Sequence, residues 1–331
     1  MKEMNHVERF RAVMNFQEFD RLPRVEWATY WTITLDRWQS EGLATRNRYE
    51  IFSQFGLDPY YQHWFGARPL SFFKPEKHGQ PLIHTADDYR EIRKQMFPPP
   101  EAAQEKLQAW NLMQKAGEIV MWGTLDGFFW LPRGLLGIEN HLYAFYDKPE
   151  LMHMINQDVV DYAISVLKYL AGVCPPTFVT IAEDMSYNHG AMISKELFDQ
   201  FIAPYYRQIV PILDEMGTTI IIDSDGQVED LMRWFAEVGV EGILPLERQA
   251  GCDAQRLRQV LPRTRIIGHF DKLVIKFGRD AIEKEFQRLL PVMKAGGFIP
   301  SVDHQTPPEV SMDQYRIYTG LLAEYAELAA R

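Results

Sequence analysis

Acidic and histidine side chains recur at the ends of the apolar segments of this sequence. They are Glu26, His63, Asp126, Glu183, Asp184, Asp223, Asp225, Glu247, His269, Asp271, Asp303 and His304. Carboxylates and imidazoles act as general acids and bases, and in groups they hold divalent cations. Singly, an acid in such a position is more often a helix N-cap or a loop residue. Gathered at one edge of a sheet, several of them need a cation or shared protons.

Asp223 and Asp225 have the most informative spacing. Residues i and i+2 of an extended segment point to the same side, so both carboxyl groups face one space. Such a pair suits a metal ion, a substrate cation or an acid–base pair. The alternative is a turn, because Asp-Ser-Asp-Gly also favours a turn in which Gly226 takes a positive φ. His304, beside Asp303, is open to three interpretations: a metal ligand, a proton donor or a capped core histidine.

Short apolar runs alternate with helical patterns and would position these side chains. The runs cover residues 22–27, 56–64, 119–125, 178–182, 218–222, 242–246, 265–268 and 297–300. Continuous apolar runs indicate parallel strands that are covered on both faces. Helices are predicted over 5–16, 194–216, 227–238, 254–261 and 279–295, and Ser311 with Gln314 forms a capping-box pattern that opens a last helix. We therefore predict an α/β fold, a (β/α)8 TIM barrel with an N-terminal helical extension.

The whole chain, residues 1–331, is expected to form a single barrel domain. Residues 1–118 hold the extension and the first barrel units, which are rich in aromatic residues, and residues 119–331 hold regular βα units. No Gly-x-Gly-x-x-Gly turn is present, which disfavours a doubly wound sheet. Barrels of this type place reacting groups at the carboxyl ends of their strands. The side chains of the first paragraph are therefore expected to share one rim.

Three sets of functional residues follow from this placement. The predicted catalytic residues are His304, Asp303, Glu183 and His269. The predicted metal ligands are Asp223, Asp225, Glu247 and His304, which offer oxygen and nitrogen to a divalent ion such as zinc. The predicted substrate-binding residues are Trp27, Tyr30, Trp31, Asp126 and Phe128, because clustered aromatic side chains suit a flat apolar ligand.

Charge and cysteine content exclude several classes of protein. The formal net charge is −10, which argues against nucleic-acid partners and, more weakly, against an anionic membrane surface. The cysteines are Cys174 and Cys252, which form no Cys-x-x-Cys pair and suit a reducing compartment. The first residues are charged and lack the apolar segment of a signal peptide. We therefore expect a cytoplasmic protein.

Several segments resemble the uroporphyrinogen decarboxylase superfamily, which includes cobalamin-dependent methyltransferases. They are EDMS at 183–186, DSDG at 223–226, PLE at 245–247, GHFDK at 268–272, GGFIPSVDH at 296–304 and TPP at 306–308. The Arg-rich segment with which the decarboxylase binds its acidic porphyrinogen does not follow Trp27. The thiolate zinc ligands of the thiol-forming methyltransferases are replaced by Asp223, Asp225 and His304, which leaves only a harder nitrogen and oxygen site.

The resemblance implies a methyltransferase that moves a methyl group from a small methylated donor to a corrinoid protein. The expected donor is an O-methyl compound such as a methoxylated aromatic, and the corrinoid is expected on the partner protein. The enzymatic alternative is a decarboxylase-like lyase acting on a non-porphyrin acid, with Arg133 and Lys272 lining its pocket. The alternative from another class is a non-catalytic corrinoid-docking protein.

Overall fold

The computed structural model describes residues 3–69, 71–75, 77, 79–240 and 242–331. Its strands are β1 (Tyr60–Phe65), β2 (Val120–Asp126), β3 (Phe178–Ala182), β4 (Ser186–Tyr187), β5 (Gly190–Ala191), β6 (Thr219–Ser224), β7 (Gly242–Pro245), β8 (Arg265–Phe270) and β9 (Phe298–Val302). Its helices are α1 (His6–Met14), α2 (Thr32–Ser40), α3 (Arg48–Gln54), α4 (Ala86–Ile92), α5 (Gln104–Lys115), α6 (Trp130–Leu136), α7 (Ile138–Asp147), α8 (Pro149–Val173), α9 (Lys195–Phe201), α10 (Ala203–Glu215), α11 (Glu229–Ala236), α12 (Ala254–Val260), α13 (Arg279–Lys294) and α14 (Met312–Leu328). Short 3-10 helices cover Arg93–Gln95, Pro100–Ala103 and Lys272–Phe277.

Seven parallel strands form the main sheet of the described chain, in the order β1-β2-β3-β6-β7-β8-β9. Every residue of β2, β3 and β9 is buried, as their continuous apolar character predicts. Helices follow most strands, and the carboxyl ends of all seven strands meet at one edge of the sheet. The architecture is a barrel-like α/β fold. A short antiparallel hairpin, β4 with β5, lies beyond β3.

The predicted first strand is the main error in the strand assignment. Residues 22–27 make no strand pairing. The segment instead lies between β9 and the start of β1: the Trp27 indole donates to the Val302 carbonyl at 2.6 Å, and the Asp58 amide donates to the Arg24 carbonyl at 2.8 Å. Pro23 has no amide hydrogen to offer a neighbouring strand. Isolated contacts, made by both side-chain and main-chain atoms, therefore replace a strand ladder at this position.

The helix predictions agree with the structure except at one break. Helix α1 falls within the predicted range 5–16, and Ser311 and Gln314 form the expected capping box of α14. The single helix predicted over 194–216 is divided into α9 and α10. Pro204 lies in the first turn of α10, where its ring and missing amide hydrogen prevent α9 from continuing. His78, a loop histidine in sequence terms, lies outside the described residues.

Glu26 is a buried acid in the segment that lies between β9 and β1. Its carboxylate accepts hydrogen bonds from the Tyr315 hydroxyl at 3.0 Å, from the Ser301 hydroxyl at 3.2 Å and from the Ala28 amide at 3.3 Å. Burial is the main cause that raises the pKa of Glu26 from 4.5 to about 7. The folded state therefore favours the protonated acid.

Glu26→Gln is expected to stabilise the protein in a pH-dependent way. A raised folded-state pKa means that the wild type loses stability as pH rises from 4.5 through about 7, whereas glutamine does not titrate. The gain should reach up to about 3 kcal/mol above this range and vanish below it. Thermal unfolding at several pH values measures it. The exposed Glu118→Gln variant is the control, and an equal gain at every pH contradicts the assignment.

Among the described helices, none combines the length and the apolar character that crossing a membrane requires.

Candidate active site

A cavity of about 360 Å³ opens at the carboxyl edge of the sheet. Strands β1, β2, β3 and β6 contribute to its wall, and the segments after Glu26 and after β9 complete it. The lining residues are Trp27, Ala28, Thr29, Gln62, Trp64, Trp122, Trp130, Ala182, Asp184, Asp223, Asp225, His304 and Gln305. Four tryptophans and three aspartates thus face one space, and no lysine or arginine within the described ranges lines it.

Hydrogen bonds hold three of the four indole rings in place. The Trp27 ring, fixed by Val302, meets the His304 ring edge-on with a centroid separation of 6.4 Å. The Trp64 indole donates to Asp126 at 2.9 Å, and the Trp122 indole donates to the Thr180 hydroxyl at 2.8 Å. A preorganised aromatic wall binds a flat ligand without first losing side-chain freedom.

Asp223 and Asp225 both face the cavity, which confirms that their i, i+2 spacing places them on one side. Asp223 lies within β6 and Asp225 directly follows this strand. Burial, together with the carboxylates of Asp225 and Asp184, raises the pKa of Asp223 to about 8. Gly226 has a φ of 85°, and a Cβ atom at this position would lie 2.8 Å from the Tyr187 backbone. The segment therefore has the positive φ that the turn interpretation requires, and it also places Asp223 and Asp225 on the same cavity wall.

Asp225, Glu247 and His304 each place one potential ligand atom within 4.8 Å of the others. His304 Nε2 lies 3.5 Å from an Asp225 carboxylate oxygen, and the Gly226 amide donates to Glu247 at 2.9 Å. The hydrogen bond to Asp225 raises the pKa of His304, and burial raises that of Glu247. One imidazole and two carboxylates form a donor set that fits zinc or another divalent ion. Asp223, predicted as a fourth ligand, lies outside this group.

Glu183 is turned away from the cavity and anchors helix α6. Its carboxylate accepts from the amides of Phe128 and Phe129 at 3.0 and 2.7 Å and from the Tyr206 hydroxyl at 2.5 Å. Gly127 makes this approach possible, because a Cβ atom there would lie 2.3 Å from the Glu183 carboxyl carbon. Burial raises the pKa of Glu183 to about 7. These contacts connect Glu183 to the segment that opens α6, and Glu183 is not among the residues that line the cavity.

Asp303 and His269, the other predicted catalytic residues, also lie behind the wall. Asp303 is fully buried and accepts from the Arg248 amide at 2.9 Å and from Lys272 Nζ at 3.1 Å. His269 Nδ1 lies 2.8 Å from the Leu246 carbonyl oxygen, and its Nε2 accepts from the Ala254 amide at 3.2 Å. Burial lowers the pKa of His269 to about 4. Asp303 thus connects the segments that follow β7 and β8, and His269 connects β8 to the segment that follows β7.

Of the predicted substrate-binding residues, Trp27 alone lines the cavity. Asp126 is buried and acts one step away, because it fixes the Trp64 indole and accepts from the Ala67 amide at 2.8 Å. The remaining three lie elsewhere: Phe128 stacks on Tyr205, Tyr30 packs against Tyr315, and Trp31 is exposed at the start of α2.

Sequence reasoning missed Trp122 and Gln62, two residues of the cavity wall. Trp64, Trp122 and Trp130 line the cavity together with Gln62 and Asp184. Gln62 and Trp64 are separated by two positions on β1 and therefore share a side of the sheet. This alternation along β1 was the sequence pattern that could have placed Gln62 and Trp64 on one side. The other strand-end residues lie outside the cavity: His63 Nδ1 lies 2.6 Å from Lys106 Nζ, and Asp271 caps the 3-10 helix Lys272–Phe277.

Fold and site together define a class: a barrel-like α/β protein with an aromatic and acidic cavity at the carboxyl edge of its parallel sheet. Residues 74–325 match the model of the uroporphyrinogen decarboxylase (URO-D) family. This match spans well over half of the chain, so the chain belongs to the URO-D family, and the membership indicates an enzyme. No curated protein sequence matches the chain.

Solved structures similar to this chain include a methyltransferase and an epimerase. A methyltransferase from Methanosarcina mazei superposes with a TM-score of 0.68 at 13% identity, over 98% of this chain and 99% of that chain. A 3-keto-D-glucoside 4-epimerase from E. coli has a TM-score of 0.42 at 11% identity, over 75% of this chain and 99% of the other. At this identity the first similarity shows the fold alone, and the second carries no argument.

Proposed function

We propose that this protein transfers a methyl group from a small O-methylated donor, a methoxyarene, to the corrinoid of a partner protein. The observation that carries the proposal is the cavity in which tryptophan rings and the Asp225–His304 pair share one wall. The similarity in fold to a methyltransferase and the membership of the URO-D family support it.

The chemical difficulty of this reaction is the leaving oxygen. The bond between the methyl carbon and the oxygen breaks, the methyl group passes to the reduced corrinoid, and the alkoxide or phenolate takes a proton. A divalent ion held by Asp225, Glu247 and His304 would supply Lewis-acid stabilisation of the charge on this oxygen. Without such an ion, His304 itself is placed to donate the proton, since its ring lines the cavity.

The tryptophan wall has a separate task. Trp27 and Trp122 enclose the ring of the donor and displace water from the oxygen, and a drier site strengthens every charge–charge interaction at that oxygen. The ring of Trp27 lies against His304, so a ligand stacked in the cavity places its substituents beside the imidazole. Binding and charge stabilisation are thereby brought to one location.

The lyase alternative finds no support in the cavity. It requires Arg133 or Lys272 in the wall to bind the acid, and neither lines it. Arg133 forms an ion pair with Asp184 at 2.5 Å, and Lys272 forms one with Asp303 at 3.1 Å.

Incubation with a reduced corrinoid protein and para-methoxybenzyl alcohol tests the proposal. We expect release of the demethylated phenol together with methylation of the corrinoid. Formation of a complex with the corrinoid protein but no turnover with any methylated donor supports the non-catalytic docking alternative instead.

Binding of the ring is expected to change tryptophan emission. Of the eight tryptophans in the chain, four line the cavity, so a stacked methoxyarene should quench a large part of the fluorescence. Titration with para-methoxybenzyl alcohol measures this quenching, and Trp122→Phe should reduce it. If no methoxyarene alters the emission at about millimolar concentration, which is the weak end of the usual affinity range, an aliphatic donor is the better proposal.

A further inference from the structure

The ion pair between Arg133 and Asp184 lies at the wall of the cavity, where Asp184 neutralises the positive charge of Arg133. Arg133 Nη1 donates to the Asp184 carbonyl oxygen at 2.8 Å, and Nη2 donates to its carboxylate at 2.5 Å. The Arg133 guanidinium also lies over the Trp130 ring at 4.9 Å. Asp184 and Trp130 both line the cavity, so the guanidinium stands one side chain behind this wall.

A second guanidinium near the cavity also donates through both of its Nη atoms. Arg48 lies behind Gln62 and Trp27, donating to the Gln62 side chain at 2.9 Å and to the Trp27 carbonyl at 2.5 Å. A carboxylate placed in the cavity would thus meet the charges of Asp184 and Asp225 and find the Nη atoms of both arginines occupied. Like charges at short distance in a partly desolvated site are costly, and specificity often depends on such repulsion.

We propose that Asp184 sets the charge specificity of the cavity: by occupying Arg133, it makes the site select uncharged methylated donors over donors that carry a carboxylate. The identification of the ligand as a methyl donor rests on the proposed function. The selection itself depends only on which side chains line the wall and which groups Arg133 already binds.

The backbone at Asp184 permits a clean test. This residue has a φ of 42°, in the left-handed region that aspartate and asparagine tolerate better than most residues. Asp184→Asn therefore removes the charge and keeps the shape, the backbone conformation and the carbonyl that binds Nη1. The freed guanidinium can then form a charge-assisted pair with a carboxylate in the cavity.

Equilibrium dialysis with two matched probes measures the effect. Para-methoxybenzyl alcohol and para-methoxybenzoate differ in the charge of one substituent. We expect the wild type to prefer the alcohol and Asp184→Asn to bind the benzoate about tenfold more tightly or better, with little change for the alcohol. The double variant Asp184→Asn with Arg133→Gln should lose this gain. Asp199→Asn makes the same chemical change on the exposed face of α9 and should alter neither affinity.

Equal binding of both probes by the wild type overturns the proposal. The proposal is also overturned if Asp184→Asn, shown to be folded by its circular dichroism spectrum, gains no affinity for the benzoate. Dialysis measures binding and requires no methyl transfer. If Asp184→Asn gains affinity for the benzoate but the protein transfers no methyl group, only the proposed function is refuted. If the protein transfers methyl groups but Asp184→Asn gains no affinity for the benzoate, only this inference is refuted.

Discussion

His304→Ala is expected to lower methyl transfer by on the order of a hundredfold or more, since the charge on the leaving oxygen is worth several kcal/mol to stabilise. The imidazole lines the cavity and lies 3.5 Å from Asp225, so its loss removes either a metal ligand or a proton donor. Asp225→Asn, which keeps the size of the side chain, should have an effect of the same order.

Metal analysis of the purified protein separates the two roles of His304. Bound metal in the wild type that is depleted in both variants supports the Lewis-acid role, and the absence of metal from the wild type leaves His304 as a general acid. Asp199→Asn, on the outer surface, should keep full activity and serves as the control. If His304→Ala and Asp225→Asn both transfer methyl groups at the wild-type rate, the assignment of this rim as the reaction centre is wrong.

Glu183→Ala is expected to destabilise the fold by about 3–5 kcal/mol, because each buried donor that is left without an acceptor costs about 1–3 kcal/mol. The variant leaves the buried amides of Phe128 and Phe129 and the hydroxyl of Tyr206 without their acceptor. It also opens a cavity at the start of α6, where Trp130 begins the helix that carries Arg133.

Denaturant unfolding followed by circular dichroism measures this loss. Glu139→Ala, on the exposed face of α7, is the matched control and should change stability by less than about 0.5 kcal/mol. A loss for Glu183→Ala no larger than that of the control would show that the carboxylate does not hold α6. Full stability with abolished methyl transfer would return Glu183 to the catalytic role that its position after β3 first indicated.

The apolar runs predicted most of the sheet because buried parallel strands need continuous hydrophobic residues. The same criterion misassigned residues 22–27, since it registers burial and not main-chain pairing. Burial of this segment comes from contacts such as those of Trp27 with β9. Proline alone does not locate the break in the helix predicted over 194–216, because Pro204 lies in the first turn of α10 whereas Pro211 lies inside this helix.

The lining of the cavity was predicted in part, and the differences share one physical cause. Strand ends correctly placed Asp225 and His304 at one rim. Residues on strands buried on both faces give no sign of which side points inward, so the inward direction of Trp122 could not be read from its apolar neighbours. For the same reason, the rim position of Glu183 did not reveal that its carboxylate accepts hydrogen bonds from the amides just before α6.

The contacts that join the segment around Trp27 to β9 and α14 affect the order in which the protein can fold during synthesis. The bond from Trp27 to Val302 joins residues 275 positions apart, and that from Tyr315 to Glu26 joins residues 289 apart. On the ribosome, where synthesis proceeds from the N-terminus at about 5–20 residues per second, Trp27 waits for β9 and α14 to emerge. Contacts of such high sequence separation also slow folding in general. The aromatic first segment is therefore exposed for most of translation, and the wall that Trp27 contributes forms only after the last strand has been synthesised.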